Sequence, residues 1–255
     1  MNEILGVLLL ITSVLVGGGL VVILQNTNKK KIIKLLLALS GGFLISIAFI
    51  HFIPEIYHFH GDKIGYYILL GFLIQLVLEY FSGGIEHGHI HVKKISTAMP
   101  WGLFLSLSVH AFIEGIPLES QFHDNASLFD LEQTDHIGHN HGDSPSYKGL
   151  LLGIILHKIP VSIALMTLLI SSGFKQSKAW LILLAFSLMA PLGLLFGHFG
   201  ADKLLINLEL LMAVVIGMFL HISTTIIFEA SENHKLNFYK LISLLTGVAL
   251  AILSI

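Results

Sequence analysis

His110 and Glu114 stand four residues apart in an otherwise oily stretch, Trp101-Gly-Leu-Phe-Leu-Ser-Leu-Ser-Val-His110-Ala-Phe-Ile-Glu114-Gly115-Ile-Pro117. On a helix that spacing puts imidazole and carboxylate on one face, one turn apart. A charged side chain at bilayer depth costs about 2.5–3.5 kcal/mol on insertion scales, so a chain that keeps one there compensates it with a cation. The next apolar stretch supplies His157-Lys158-Ile159-Pro160. Two imidazoles and a carboxylate suit Zn²⁺ and other first-row divalent ions, and three protein ligands leave a position open to water. An open position suits an ion that must leave again. The chain has no cysteine, which excludes thiolate sites, disulfides and Cys nucleophiles. His110, Glu114 and His157 are therefore the expected metal ligands, and they hold a divalent ion in transit; no catalytic residue and no resident cofactor is expected.

Lys158 follows His157 directly and points about 100° around the helix from it. Its ammonium is expected to occupy the place of a second cation, with Glu114 between it and the metal, leaving a mononuclear site. The competing reading is a buried structural salt bridge, Glu114 to Lys158, beside satisfied histidines. Pro117 and Pro160 cannot donate backbone hydrogen bonds, so the carbonyls of Ile113 and Leu156 lose their usual partners and the helices can unwind around the site.

These residues need membrane helices to carry them. Of 255 residues, 55% are hydrophobic and only 12% charged, about half the charged fraction of a soluble domain. A span takes about 20 apolar residues. The hydropathy pattern gives an all-α, polytopic membrane bundle of eight helices, at about 4–24, 33–55, 64–83, 98–119, 148–171, 178–198, 205–229 and 236–255, forming one transport domain over 1–255. The first run has nothing basic ahead of it and is long enough to span, so it reads as a retained helix and not a cleaved signal.

All fourteen basic residues are lysines. With the N-terminus outside, the inner side holds ten (29, 30, 31, 34, 93, 94, 175, 178, 235, 240) and the outer side three (63, 148, 203), with Lys158 alone inside a span. By the positive-inside rule both termini are external. The lack of Arg and the wealth of Ile and Lys point to a bacterial source and its inner membrane.

Other polar groups suggest a path. His51 and Glu55, ahead of the external end of the second helix, repeat the one-turn pairing and read equally as an outer ion station or an interfacial pair. His221 lies within the seventh helix and Glu229 at its inner edge, either able to line an exit. The inner loop carries His87, His89 and His91 after Glu86. The long outer loop, 120–147, carries His123, His136, His139 and His141 among acidic residues, a low-affinity cation collector or a solvated loop. Pro191 implies a kink in the sixth helix, and Gly193 and Gly197 allow close helix contact. Helices 2 and 7 each place a glycine about a dozen residues ahead of a terminal carboxylate. That echo suggests a three-plus-two-plus-three plan with an inverted repeat.

The chain resembles the ZIP (Zrt/Irt-like) family of divalent metal transporters along nearly its whole length. The family's His-Asn-x-x-(Asp/Glu)-Gly motif is matched by His110, Glu114 and Gly115, and its His-Glu-x-Pro motif by His157 and Pro160. His51-Phe-Ile-Pro54-Glu55, Pro191-Leu-Gly193 and Gly217-Met-Phe-Leu are similar too. The resemblance implies a site between helices 4 and 5, import of zinc, iron or manganese into the cytoplasm, a homodimer and elevator-like alternating access. Ala111 stands where the family has asparagine, Lys158 where it has glutamate, and Val161 where other members place a further ligand. These departures bear on the binuclear centre of many members; His-Lys-x-Pro variants occur in one branch.

Two other classes fit less well. A cation-diffusion-facilitator-like exporter should have about six spans, internal termini and a soluble metal-binding tail. A His-box membrane di-iron oxidase or hydroxylase gathers its histidines on one membrane face, whereas the two His-rich loops here fall on opposite faces. A metalloprotease would need His-Glu-x-x-His, which is absent. Nothing in the composition points to nucleic acid; the partners are the lipid bilayer, the metal ion and a second copy of the chain.

Overall fold

The computed structural model describes residues 3–23, 29–60, 63–82, 101–119, 148–200, 207–229, 231–232, 235–236 and 238–254. The loop histidines His87, His89, His91, His123, His136, His139 and His141 lie outside these, as does the side chain of Glu229. Among the described residues the chain forms eight helices: α1 (Glu3–Ile23), α2 (Lys29–Ile47, a π turn Ala48–Phe52, then Ile53–His60), α3 (Ile64–Ser82), α4 (Trp101–Gly115, tightening to a 3-10 turn Ile116–Glu119), α5 (Lys148–Ser171), α6 (Gln176–Ser187 and Met189–Gly200), α7 (Leu208–Glu229) and α8 (Phe238–Leu253). Seven are long and apolar enough to cross a bilayer. The eighth has 16 residues, about 24 Å of helix. It starts two residues later than hydropathy suggests because Lys235–Leu236 pairs antiparallel with Ser231–Glu232 instead.

The prolines act differently at each position. Ahead of Pro54 the helix widens, and Ile53 N–H bonds back to Ala48 O across the π turn that carries His51. This accommodates a residue with no N–H to give and a ring that crowds the preceding turn. Around Pro117 the helix narrows to a 3-10 turn. Pro160, by contrast, sits inside an unbroken α5, so the unwinding expected there does not occur. The kink in α6 falls at Leu188, three residues before Pro191. Pro191 belongs to the first turn of the second half, where a missing N–H leaves no bond unmade.

The helices pack as two groups. α3 lies along α7 and α2 along α8, while α1 lies along α5 and α4 along α6; the groups meet where α2 touches α5 and α3 touches α4. Exchanging α1–α3 with α6–α8, and α4 with α5, turns each packed pair into the other pair of its group. Glycines make the contacts close. A Cβ on Gly217 would stand 1.9 Å from Ile68 O, and one on Gly71 1.9 Å from Val214 O. Gly42 and Gly247 do the same between α2 and α8, meeting Leu244 O at 2.2 Å and Leu39 O at 2.0 Å. Without a hydrophobic drive inside lipid, such backbone-to-backbone packing is what holds helices together.

Gly217→Ala should therefore force α3 and α7 apart and cost about 1–3 kcal/mol, read as a lower thermal unfolding midpoint in detergent. Gly19→Ala, where nothing lies within 4 Å, is the control; equal midpoints for the two variants would contradict the close crossing.

Candidate metal site

Glu114 is fully buried on α4, where nothing in the surrounding lipid or core can solvate a carboxylate. Its Oε1 accepts a hydrogen bond from Lys158 Nζ on α5, forming a buried ion pair. Its Oε2 lies 3.2 Å from His110 Nε2, the one-turn contact expected from the spacing. His157, only 1% exposed, brings its ring centroid within 5.8 Å of that of His110, edge to face. The Lys158 ammonium also lies 5.3 Å from the centre of the Phe186 ring on α6, a cation–π contact that gives its charge a second partner in an apolar setting. The four side chains singled out from the sequence thus share one enclosed cluster at the α4–α5 contact.

The backbone that presents them is fixed by close helix packing. A Cβ on Gly115 would stand 2.2 Å from Ala190 O, and one on Gly193 2.1 Å from Phe112 O. α4 and α6 therefore touch next to Glu114, on the first turn after the α6 break. Alanine at position 111, where the family has asparagine, is fully buried and apolar, so it offers the cluster no ligand. Val161, 2% exposed, is likewise a packing residue.

One partner was not foreseen. Gln75 on α3, fully buried, has Oε1 2.9 Å from His110 Nδ1. When Nδ1 carries the proton and donates to that oxygen, Nε2 keeps its lone pair, and a hydrogen bond of this kind on one ring nitrogen fixes the tautomer and orients the other nitrogen. This bond joins the α3 group to the α4 group. A lone glutamine in an apolar run is the only sequence signal that could have found it.

The remaining expected path residues are dispersed. His51 is half-buried in the π turn and Glu55 half-buried just beyond it. His221 is 5% exposed on α7, and its Nε2 bonds Glu79 on α3, a pairing the sequence reading did not make. His198 Nδ1 on α6 lies 3.5 Å from Glu119 at the end of α4. Among the described residues, no three His, Asp or Glu side chains stand in a geometry ready to hold a metal ion. Glu114 is held instead by Lys158.

The site is thus a buried cluster of two imidazoles, a carboxylate and an ammonium inside a bundle of apolar helices. Residues 137–254, the part of the chain that includes His157, Lys158, Pro160 and His221, match the model of the ZIP zinc transporter family. Over that part, just under half of the chain, the protein is similar to the family, and with seven helices long and apolar enough to cross a bilayer it is an integral membrane protein. No curated protein matches it. His110 and Glu114 lie upstream of the matched part, so their role rests on geometry.

Removing one partner of a buried ion pair costs about 3–5 kcal/mol, while replacing both with apolar or neutral groups costs far less. Lys158→Met should thus lower the unfolding midpoint sharply, and adding Glu114→Gln to it should recover most of the loss. A double variant no better than the single would show that the two charges do not compensate each other.

Proposed function

We propose that the chain imports a divalent metal, Zn²⁺ first with Fe²⁺ and Mn²⁺ as alternatives, into the cytoplasm through one mononuclear site of His110, Glu114 and His157. The observation that carries this reading is the convergence of two imidazoles and a carboxylate from α4 and α5 in one buried cluster, with Lys158 against the carboxylate. Zn²⁺ would bind the two imidazoles and one Glu114 oxygen, with water in the fourth place. Lys158 then supplies the positive charge that Glu114 needs whenever the ion is absent, and it takes the place of a second metal. The carboxylate is compensated at every stage of transport.

The two packed groups support alternating access. α1, α4, α5 and α6 carry the three ligands, whereas α2, α3, α7 and α8 form the surface past which they move, and the exchange symmetry of the packing supports an inverted repeat of 3+2+3 form. In this reading the termini are external, the 255 residues form a single transport domain and the protein is a homodimer. His51 and Glu55 line the outer approach, His221 and Glu229 line the exit, and the two His-rich loops collect and release ions. The purely structural salt bridge remains the competing account, since the same Glu114–Lys158 bond would serve it.

Purified protein in proteoliposomes should take up ⁶⁵Zn²⁺ saturably, with Fe²⁺, Mn²⁺ and Cd²⁺ as competitors that rank the metals. His110→Ala and His157→Ala should each reduce uptake at least tenfold. Uptake that survives both substitutions would overturn the site.

A further inference from the structure

Glu79 on α3 and His221 on α7 form an imidazole–carboxylate pair that joins two helices, as His198 and Glu119 do between α6 and α4. Glu79 Oε2 and His221 Nε2 are hydrogen-bonded, with side chains 20% and 6% exposed. Three observations make this pair more than a tie between α3 and α7. Phe72 packs edge-on against the His221 ring with centroids 4.7 Å apart, so the imidazole is held in one orientation. Phe72, Gln75 and Glu79 follow one another at three- and four-residue steps and so lie on one stripe of α3. Gln75 on that stripe bonds His110 of the central cluster; the pair thus stands one helical turn from a residue that touches a proposed metal ligand.

The direction of that turn is set by Ser106, one turn before His110 on α4, whose hydroxyl donates to Leu78 O on α3. Leu78 and Glu79 therefore lie level with Ser106, displaced from His110 towards the Trp101 end of α4. That end is the lysine-bearing side of the bundle, where Lys31 and Lys34 open α2 and Lys175 and Lys178 open α6. The pair is on the inner side of the central cluster by the positive-inside rule. It is also on the other packing group from α4 and α5.

We propose that Glu79 and His221 are a second divalent-cation station, one turn inward of the central site, which receives the ion on its way to the cytoplasm. The inference rests on the import reading given above. A divalent ion would replace the proton shared between Nε2 and Oε2, which leaves to water, and would take the imidazole lone pair and the carboxylate, with water filling the other positions. Two protein ligands hold an ion less tightly than three, so the ion is passed from a stronger site to a weaker one and released. Gln75, bound to His110 and one turn from Glu79, spans the gap with an amide that can turn either its oxygen or its nitrogen to either neighbour.

The test is equilibrium dialysis of full-length protein in nanodiscs against Zn²⁺, counting bound ions per protomer. Glu79→Gln keeps the side-chain volume and a hydrogen bond to the imidazole but removes the charge, and an unchanged unfolding midpoint verifies folding. Glu79→Gln should lower the count by one, both in the wild-type background and in His110→Ala/His157→Ala; His221→Gln should do the same. Loop histidines contribute equally to each pair compared, so the difference is what is read. Counts unchanged by Glu79→Gln in both backgrounds would overturn the station. Failure of the central site looks different: His110→Ala/His157→Ala would leave the count unaltered while Glu79→Gln still lowered it.

Discussion

The structure depends on how a fully buried carboxylate, Glu114, is kept compensated. In an apolar surround its charge has no solvent to share, and the protein answers with the Lys158 ammonium on one oxygen, while the His110 imidazole lies 3.2 Å from the other. A charge pair of this kind contributes little net stability, since desolvation takes back most of the Coulomb gain. Its value lies elsewhere. The pair fixes where the carboxylate points, and the ammonium also lies 5.3 Å from the centre of the Phe186 ring; in the proposed function a doubly charged ion competes with that ammonium for the carboxylate.

Close backbone packing makes the arrangement possible. Paired glycine crossings bring α3 against α7 and α2 against α8, and Gly115 and Gly193 bring α4 against α6 beside the site. The ligands therefore ride on helices whose spacing is set by contact. The hydrogen bond from His110 to Gln75 is one of the polar links between the two groups. Relative sliding of the groups would break it, so the bond ties the position of α4 to that of α3.

Much of this was legible in the residues. Apolar runs of about 20 gave the helices within a few positions, and the four-residue spacing of His110 and Glu114 gave their contact, because both follow from the period of the helix. The convergence of α5 on α4 was expected around a metal ion, and the bond found there is the Glu114–Lys158 pair that stood as the competing reading. The echo between Gly42 and Gly217 became a matched pair of crossings. Other features were hidden for physical reasons. Gln75 and Glu79 find their partners 35 and 142 residues away in the chain, and only tertiary packing decides such pairings. Proline chemistry told that a helix must adjust, but neighbours chose how: a π turn before Pro54, a 3-10 turn at Pro117, no break at Pro160.

The central claim is that a metal ion displaces Lys158 and is held by His110, Glu114 and His157. Zinc-edge X-ray absorption on the loaded protein, in a Glu79→Gln background so that one intramembrane site remains, tests it most directly. The account predicts a nitrogen/oxygen shell at about 2.0–2.1 Å with the outer-shell scattering of two imidazoles, reduced to one by His157→Ala. A shell that keeps its imidazole signature when both His110 and His157 are replaced would contradict it.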